Sequence, residues 1–108
     1  MSDTPVDLDD GAALREFVAE HEEALVEFYT AGCAVCQSME PVLGGVARTA
    51  DVAVATVNPG DDLDLVEEYV VRSVPTLLLF VDGDAVARLD DGFHGVEEVR
   101  EFVERRGR

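Results

Sequence analysis

The chain has 108 residues, 47% of them apolar, and a net charge of −16 from 24 acids against 8 bases. That length suits one domain with one modest core. No apolar run reaches the roughly 18 residues of a membrane span, and a charge of this sign and size works against nucleic acid and anionic membranes as partners.

The first five residues, Met1-Ser2-Asp3-Thr4-Pro5, lack the basic and apolar regions of a signal peptide, which points to a cytoplasmic protein. Val6 and Leu8 predict a short edge strand. Asp9 or Asp10 stands where a helix cap belongs, and Leu14, Phe17, Val18 and His21 recur at helical spacing as far as about Glu22. Ala24 to Tyr29 is almost unbroken apolar sequence, the pattern of a central strand covered on both faces. After the turn Thr30-Ala31-Gly32, a second helix is predicted from about Cys33 to Ala50. Val35, Met39, Val42, Leu43, Val46 and Ala50 mark its buried face, and Pro41 inside it should kink it. Val52 to Val57 reads as a second central strand, broken by Asn58-Pro59-Gly60. Leu63, Leu65, Val66 and Tyr69 suggest a short third helix. Val74-Pro75 precedes a strand from Thr76 to Val81, Asp82-Gly83 is a hairpin signal, Ala85 to Leu89 returns, and Gly92 ends that return. Val96, Val99, Phe102 and Val103 mark a last amphipathic helix, with Arg105, Arg106 and Arg108 against its negative end. The order β-α-β-α-β-α-β-β-α predicts one α/β domain over 1–108. Its mixed central sheet carries helices on both faces, and the last two strands pair antiparallel.

Cys33-Ala34-Val35-Cys36 holds the only two thiols. It sits where a strand hands over to a helix, so the first thiol faces free backbone N–H groups and the positive end of a helix dipole. Both favour the thiolate, which is the reactive species. A bridge between the two closes a loop too short to constrain the unfolded chain much. In a reducing compartment such a bridge is more often catalytic or sensing than structural. Glu27 lies within the apolar run of the central strand, where burial raises a carboxyl's pKa. A carboxyl so placed can exchange a proton with Cys36; the alternative is a protonated structural acid held by a hydrogen bond or a buried water.

A C-x-x-C beside a β-α-β pattern reads as a thioredoxin-like redox motif. Leu25-Val26-Glu27-Phe28-Tyr29 leads into the cysteines, Pro41 stands five residues after Cys36, and Arg72-Ser73-Val74-Pro75-Thr76 looks like a cis-proline loop. Phe80-Val81-Asp82-Gly83 and Asp91-Gly92 match that family's hairpin and later glycine. Over nearly its whole length the chain resembles the thioredoxin family. The resemblance implies a thioredoxin-like fold and a thiol–disulfide oxidoreductase in which Cys33 attacks a protein disulfide, Cys36 resolves the mixed disulfide, and Glu27 stands for the family's usual Asp. It implies that Gly32, Ala34, Val74, Pro75 and Gly92 form the surface for an extended client segment. It also implies no metal and no cofactor beyond the reversible Cys33–Cys36 disulfide, and a thioredoxin-reductase-like electron donor; the helical patterning and the charge argue for a monomer. Two departures stand out, the first leaving the redox potential and direction open and the second leaving Glu27 without a lysine's tuning. Gly32-Cys33-Ala34-Val35-Cys36 replaces the family's Trp-Cys-Gly-Pro-Cys, and no lysine accompanies the buried acid.

Other classes stay in view: an isomerase or glutaredoxin-like electron donor, a non-catalytic redox sensor, and a metal-binding module. The last needs two ligands besides the cysteines, and only His21 and His94 exist, neither at finger spacing. His21 reads as a satisfied boundary histidine. His94 reads as an exposed loop histidine, with modulation of Cys33 as the alternative. The acid-rich, lysine-free composition resembles that of halophilic archaeal proteins, and implies stability that depends on salt.

Overall fold

The structure is a computed structural model and describes residues 4–105. The leader reading at Met1 to Asp3 and the helix-end reading at Arg106 and Arg108 therefore lie outside the described residues. Five strands form one sheet in the order β1-β3-β2-β4-β5, with β1 Val6–Leu8, β2 Glu23–Phe28, β3 Ala53–Val57, β4 Thr76–Val81 and β5 Asp84–Leu89. The first three run parallel. β4 runs antiparallel both to β2 and to β5. The expected element order holds, and the expected antiparallel pair at the end of the chain forms. The second antiparallel join, β2 to β4, carries the sheet across its centre.

Four helices cover the sheet: α1 Gly11–Glu20, α2 Ala34–Thr49, α3 Asp64–Glu68 and α4 Val96–Arg105. Of the two cap candidates Asp10 is the cap; its carboxylate accepts the Ala13 N–H at 2.8 Å. α1 stops at Glu20, two residues short of the expected end, because His21 is already extended. His21 donates from Nδ1 to the Phe17 carbonyl at 2.8 Å and lies over the Phe17 ring, a satisfied boundary histidine. Asn58-Pro59-Gly60 does end β3, in a 3-10 turn over Pro59–Asp61. Asp82 and Gly83 both have positive φ, 51° and 87°. Such a pair of residues matches the right-handed twist of the strands they join, and Gly83 supplies the freedom the turn needs.

Alternation along β2 divides the core. Ala24, Val26 and Phe28 face the layer of α1 with Leu14, Phe17 and Val18. Leu25 faces the layer of α2 and α4 with Met39, Leu43, Val46, Val99 and Val103. Successive strand residues point to opposite faces. Glu27, two residues after Leu25, therefore points to the side of α2. The central strand is covered on both faces, as its almost unbroken apolar run requires.

Candidate active site

The end of β2 and the start of α2 build the site. Tyr29 leaves the sheet with its N–H still donating to Val57 O at 3.0 Å. The chain then turns through Gly32, whose φ of +76° lies in the left-handed region. A side chain there would be strained, so this backbone accounts for glycine where the family resemblance led one to look for Trp.

Cys33 is the N-cap of α2 rather than its first residue: its sulfur accepts the Cys36 N–H at 3.1 Å. A sulfur in the place of a capping oxygen receives the orphan donors and the dipole of a sixteen-residue helix. Cys33 and Cys36 form a disulfide, with their Cα atoms 5.2 Å apart. Cys36 is buried, while Cys33 is half-buried and Ala34 exposed. Across from Cys33, the Val74–Pro75 bond is cis and the Val74 carbonyl oxygen lies 4.0 Å from its sulfur. Val74 is thus brought to the reactive pair, with Pro75 beside it. Gly92, at φ +100°, belongs to the loop that carries Phe93.

Glu27 is 1% exposed. It lines a cavity of about 380 Å³ together with Cys36, Glu40 and Thr56. Its Oε2 is buried with no hydrogen-bond partner, and burial, followed by the negative charge of Glu40, pushes its pKa up to about 7. The cavity also takes in Asp7 and Tyr29. Asp7 accepts from the Tyr29 hydroxyl at 3.0 Å and from the Thr56 hydroxyl at 2.8 Å. Burial and the Asp7 bond push the Tyr29 pKa up to about 12, so Tyr29 stays a donor.

Two expectations are corrected here, and two residues are added. Val35 does not lie on the buried face of α2; it is 40% exposed. It falls in the first turn of the helix, ahead of the part that meets the sheet, and forms an apolar ledge with Ala34, Pro41 and Phe93. Phe93 is 54% exposed, and its place beside Val35 could not be read from spacing, because a loop carries no periodicity. His94 is not an exposed loop histidine. Only 14% of its side chain is exposed, with Nε2 2.6 Å from Asp91 and Nδ1 3.1 Å from Glu98. Two carboxylates that only accept are both satisfied by a doubly protonated ring, and the Asp91 bond, first among the causes, raises the His94 pKa. Glu40 is the site residue that sequence reasoning passed over; its signal was its spacing, one turn after Cys36. Among the described residues no cluster of three or more His, Cys, Asp or Glu side chains forms a metal-holding group, and no helix is long and apolar enough to cross a membrane.

Comparison with known proteins agrees with this geometry. The family model Thioredoxin matches residues 6–105. A protein disulfide isomerase-like 1-4 of Oryza sativa subsp. japonica is 36% identical over 88 residues, covering 77% of this chain and 16% of that protein. The thioredoxin of Porphyra purpurea is 29% identical over 79 residues, covering 71% of this chain and 74% of that one. This chain thus spans less than a fifth of the disulfide isomerase-like relative and about three quarters of the algal thioredoxin. Among solved structures, a single-site mutant of the thioredoxin from Halobacterium salinarum NRC-1 superposes with a TM-score of 0.90 at 30% identity, over 98% of this chain and 93% of that one. A family match across nearly every described residue, on a chain whose disulfide caps the helix that follows the central strand, places this protein in the thioredoxin family.

Proposed function

We propose that this chain is a thiol–disulfide oxidoreductase acting on protein disulfides, chiefly as a reductant. The observation that carries the reading is Cys33 at the N-cap of α2, bonded to Cys36, which shares a cavity with the buried Glu27. In the reduced protein, the Cys33 thiolate attacks one sulfur of a client disulfide. A Cys33–client disulfide forms, and the client's other sulfur leaves as a thiolate that takes a proton. Glu27 takes the proton of Cys36, and the Cys36 thiolate attacks the Cys33 sulfur. The Cys33–Cys36 bond closes and the client's second thiolate departs, so two electrons have passed to the client.

To the rim beside Cys33 that meets the client we assign Gly32, Ala34, Val74, Pro75 and Gly92. The Val74 carbonyl, 4.0 Å from Cys33, supports a role for this rim in seating an extended client segment by its main chain. No separate cofactor enters this cycle; a reductase of the thioredoxin-reductase kind returns the electrons. The net charge of −16 favours neutral or basic client proteins over nucleic acid and anionic membranes. The same composition supports a monomer in the salt-rich cytoplasm of a halophile.

Trapping tests the reading. Cys36→Ser, reduced and mixed with a disulfide-bonded protein, should accumulate a covalent complex through Cys33. Cys33→Ser should form none, and turnover of both should fall to background. Turnover by Cys33→Ser, or no complex with Cys36→Ser, would sink it. The likeness to a disulfide isomerase-like protein favours a second direction for the same chemistry. The reduction potential of the Cys33–Cys36 couple separates the two: near about −270 mV it serves a reductant, above about −200 mV an isomerase or oxidant.

A further inference from the structure

Glu27 shares its cavity with a second carboxylate. Glu40 stands four residues after Cys36 on α2, so both project from the same side of that helix, and both line the cavity into which Glu27 faces. The two acids differ in setting: Glu27 is buried with an unpartnered oxygen, and Glu40 is exposed to solvent. The other titratable groups around the cavity are Asp7 from β1, Tyr29 at the end of β2 and Cys36 from α2. Asp7 already accepts the hydroxyls of Tyr29 and Thr56. Among the described residues no Lys, Arg or His lines the cavity, so nothing in its wall offsets a negative charge there.

We propose that Glu40 is a positioning residue for the resolving step, acting through Glu27: from the solvent side of the cavity its charge holds a proton on the buried acid and marks the way by which that proton leaves. The inference rests on the base role proposed for Glu27. In the step itself, Glu27 receives the Cys36 proton as the Cys36–Cys33 bond forms, then loses it to water through the cavity past Glu40. No other reactant is needed. A base works best when it titrates near the working pH. Burial does most to bring Glu27 there, and Glu40 adds to it. The chain thereby reaches a near-neutral carboxyl with a like charge and without lysine.

The test uses the full chain and an uncharged probe, dithiodipyridine. Reduced protein releases one thiopyridone as Cys33 is modified and a second as Cys36 resolves the adduct. The rate of the second release is followed against pH at the lowest salt that keeps the protein folded, and the Glu27 carboxyl is titrated by carbon NMR. In Glu40→Gln both midpoints should fall by about half a unit or more. Glu40→Arg should lower them further, and Glu40→Asp should restore most of the shift. Molar KCl should narrow the gap between wild type and Glu40→Gln, because the charge at the mouth is exposed to screening; a merely structural Glu40 would show no such narrowing. Glu27→Gln is the control. A pH limb that persists in Glu27→Gln overturns the base role and this inference with it. A limb that vanishes in Glu27→Gln but stays in place in Glu40→Gln and Glu40→Arg overturns the role of Glu40 alone.

Discussion

The backbone N–H of Cys36 donates to the sulfur of Cys33 at 3.1 Å, so the helix that carries one cysteine is capped by the other. The contact ties reactivity to local structure. When the disulfide is reduced, the same donor faces a thiolate, and a charge-assisted bond is stronger than a neutral one. Folding of the first turn of α2 and activation of Cys33 are thus one event.

Glu27 should cost stability at the pH where it serves chemistry. Its folded pKa is about 7 against an ordinary 4.5, so between these values the folded state holds a proton that the unfolded state has lost. Stability therefore falls as pH rises through that window and levels off above about 7. Glu27→Gln removes the titration. Its stability relative to wild type should improve by roughly 2–3 kcal/mol between pH 4.5 and pH 8, read by denaturant unfolding at each pH. The variant should also resolve mixed disulfides about a hundredfold more slowly near neutral pH. A wild-type-minus-variant difference that is flat in pH would remove the buried charge from the account.

His94 should act in the opposite sense. Its pKa is raised, mainly by Asp91, so its stabilising contribution is complete below the ordinary histidine value near 6.5 and is lost as pH rises through the folded value. His94→Gln should lower the unfolding temperature at pH 5.5 and leave it close to wild type at pH 9. An equal loss at both pH values would show that packing, not charge, holds the loop to α4.

Phe93→Ala tests the apolar ledge. Phe93 is largely exposed, so its removal should leave the unfolding temperature unchanged within about a degree. If a client side chain covers it, the lost burial is worth about 1–2 kcal/mol, or a five- to thirtyfold rise in KM for a protein disulfide. Turnover of a small disulfide should not change. A protein-disulfide KM equal to wild type would free the ledge of any part in docking.

Salt should stabilise the fold. With 24 acids against 8 bases, self-repulsion opposes the compact state, and molar salt shortens the Debye length to about 3 Å. The unfolding temperature should rise by ten degrees or so between dilute buffer and molar KCl. Equal temperatures would separate the acidic composition from any need for salt.

Strands and helices were legible wherever apolar residues kept a period, because burial against a layer imposes that period. The run around Val26 and the spacing of Met39, Leu43 and Val46 declared a central strand and a packed helix. The order of strands could not be read in this way: nothing local to Thr76–Val81 says that it pairs with β2 as well as with β5. In the site, the cysteines announced themselves by type and spacing, and Glu27 by its apolar neighbours. Val35 misled because helical spacing continues into a first turn that no layer covers. Phe93 depended on a contact between separate segments, which leaves no periodic trace. The spacing of Glu40 from Cys36 was legible, but not the cavity it shares with Glu27. His94 lies in a loop, where partners three and four residues away make no apolar pattern.

β2 is hydrogen-bonded along both edges, to β3 and to β4, and the reactive loop leaves directly from its end. Local opening cannot release that strand without unzipping half the sheet. Amide protons of Leu25 to Phe28 should therefore exchange with solvent only through global unfolding, and the Glu27 side chain carried by that strand keeps its burial with them. Thermal breathing at the outer strands would leave the buried carboxyl of Glu27 in place while the sheet centre holds.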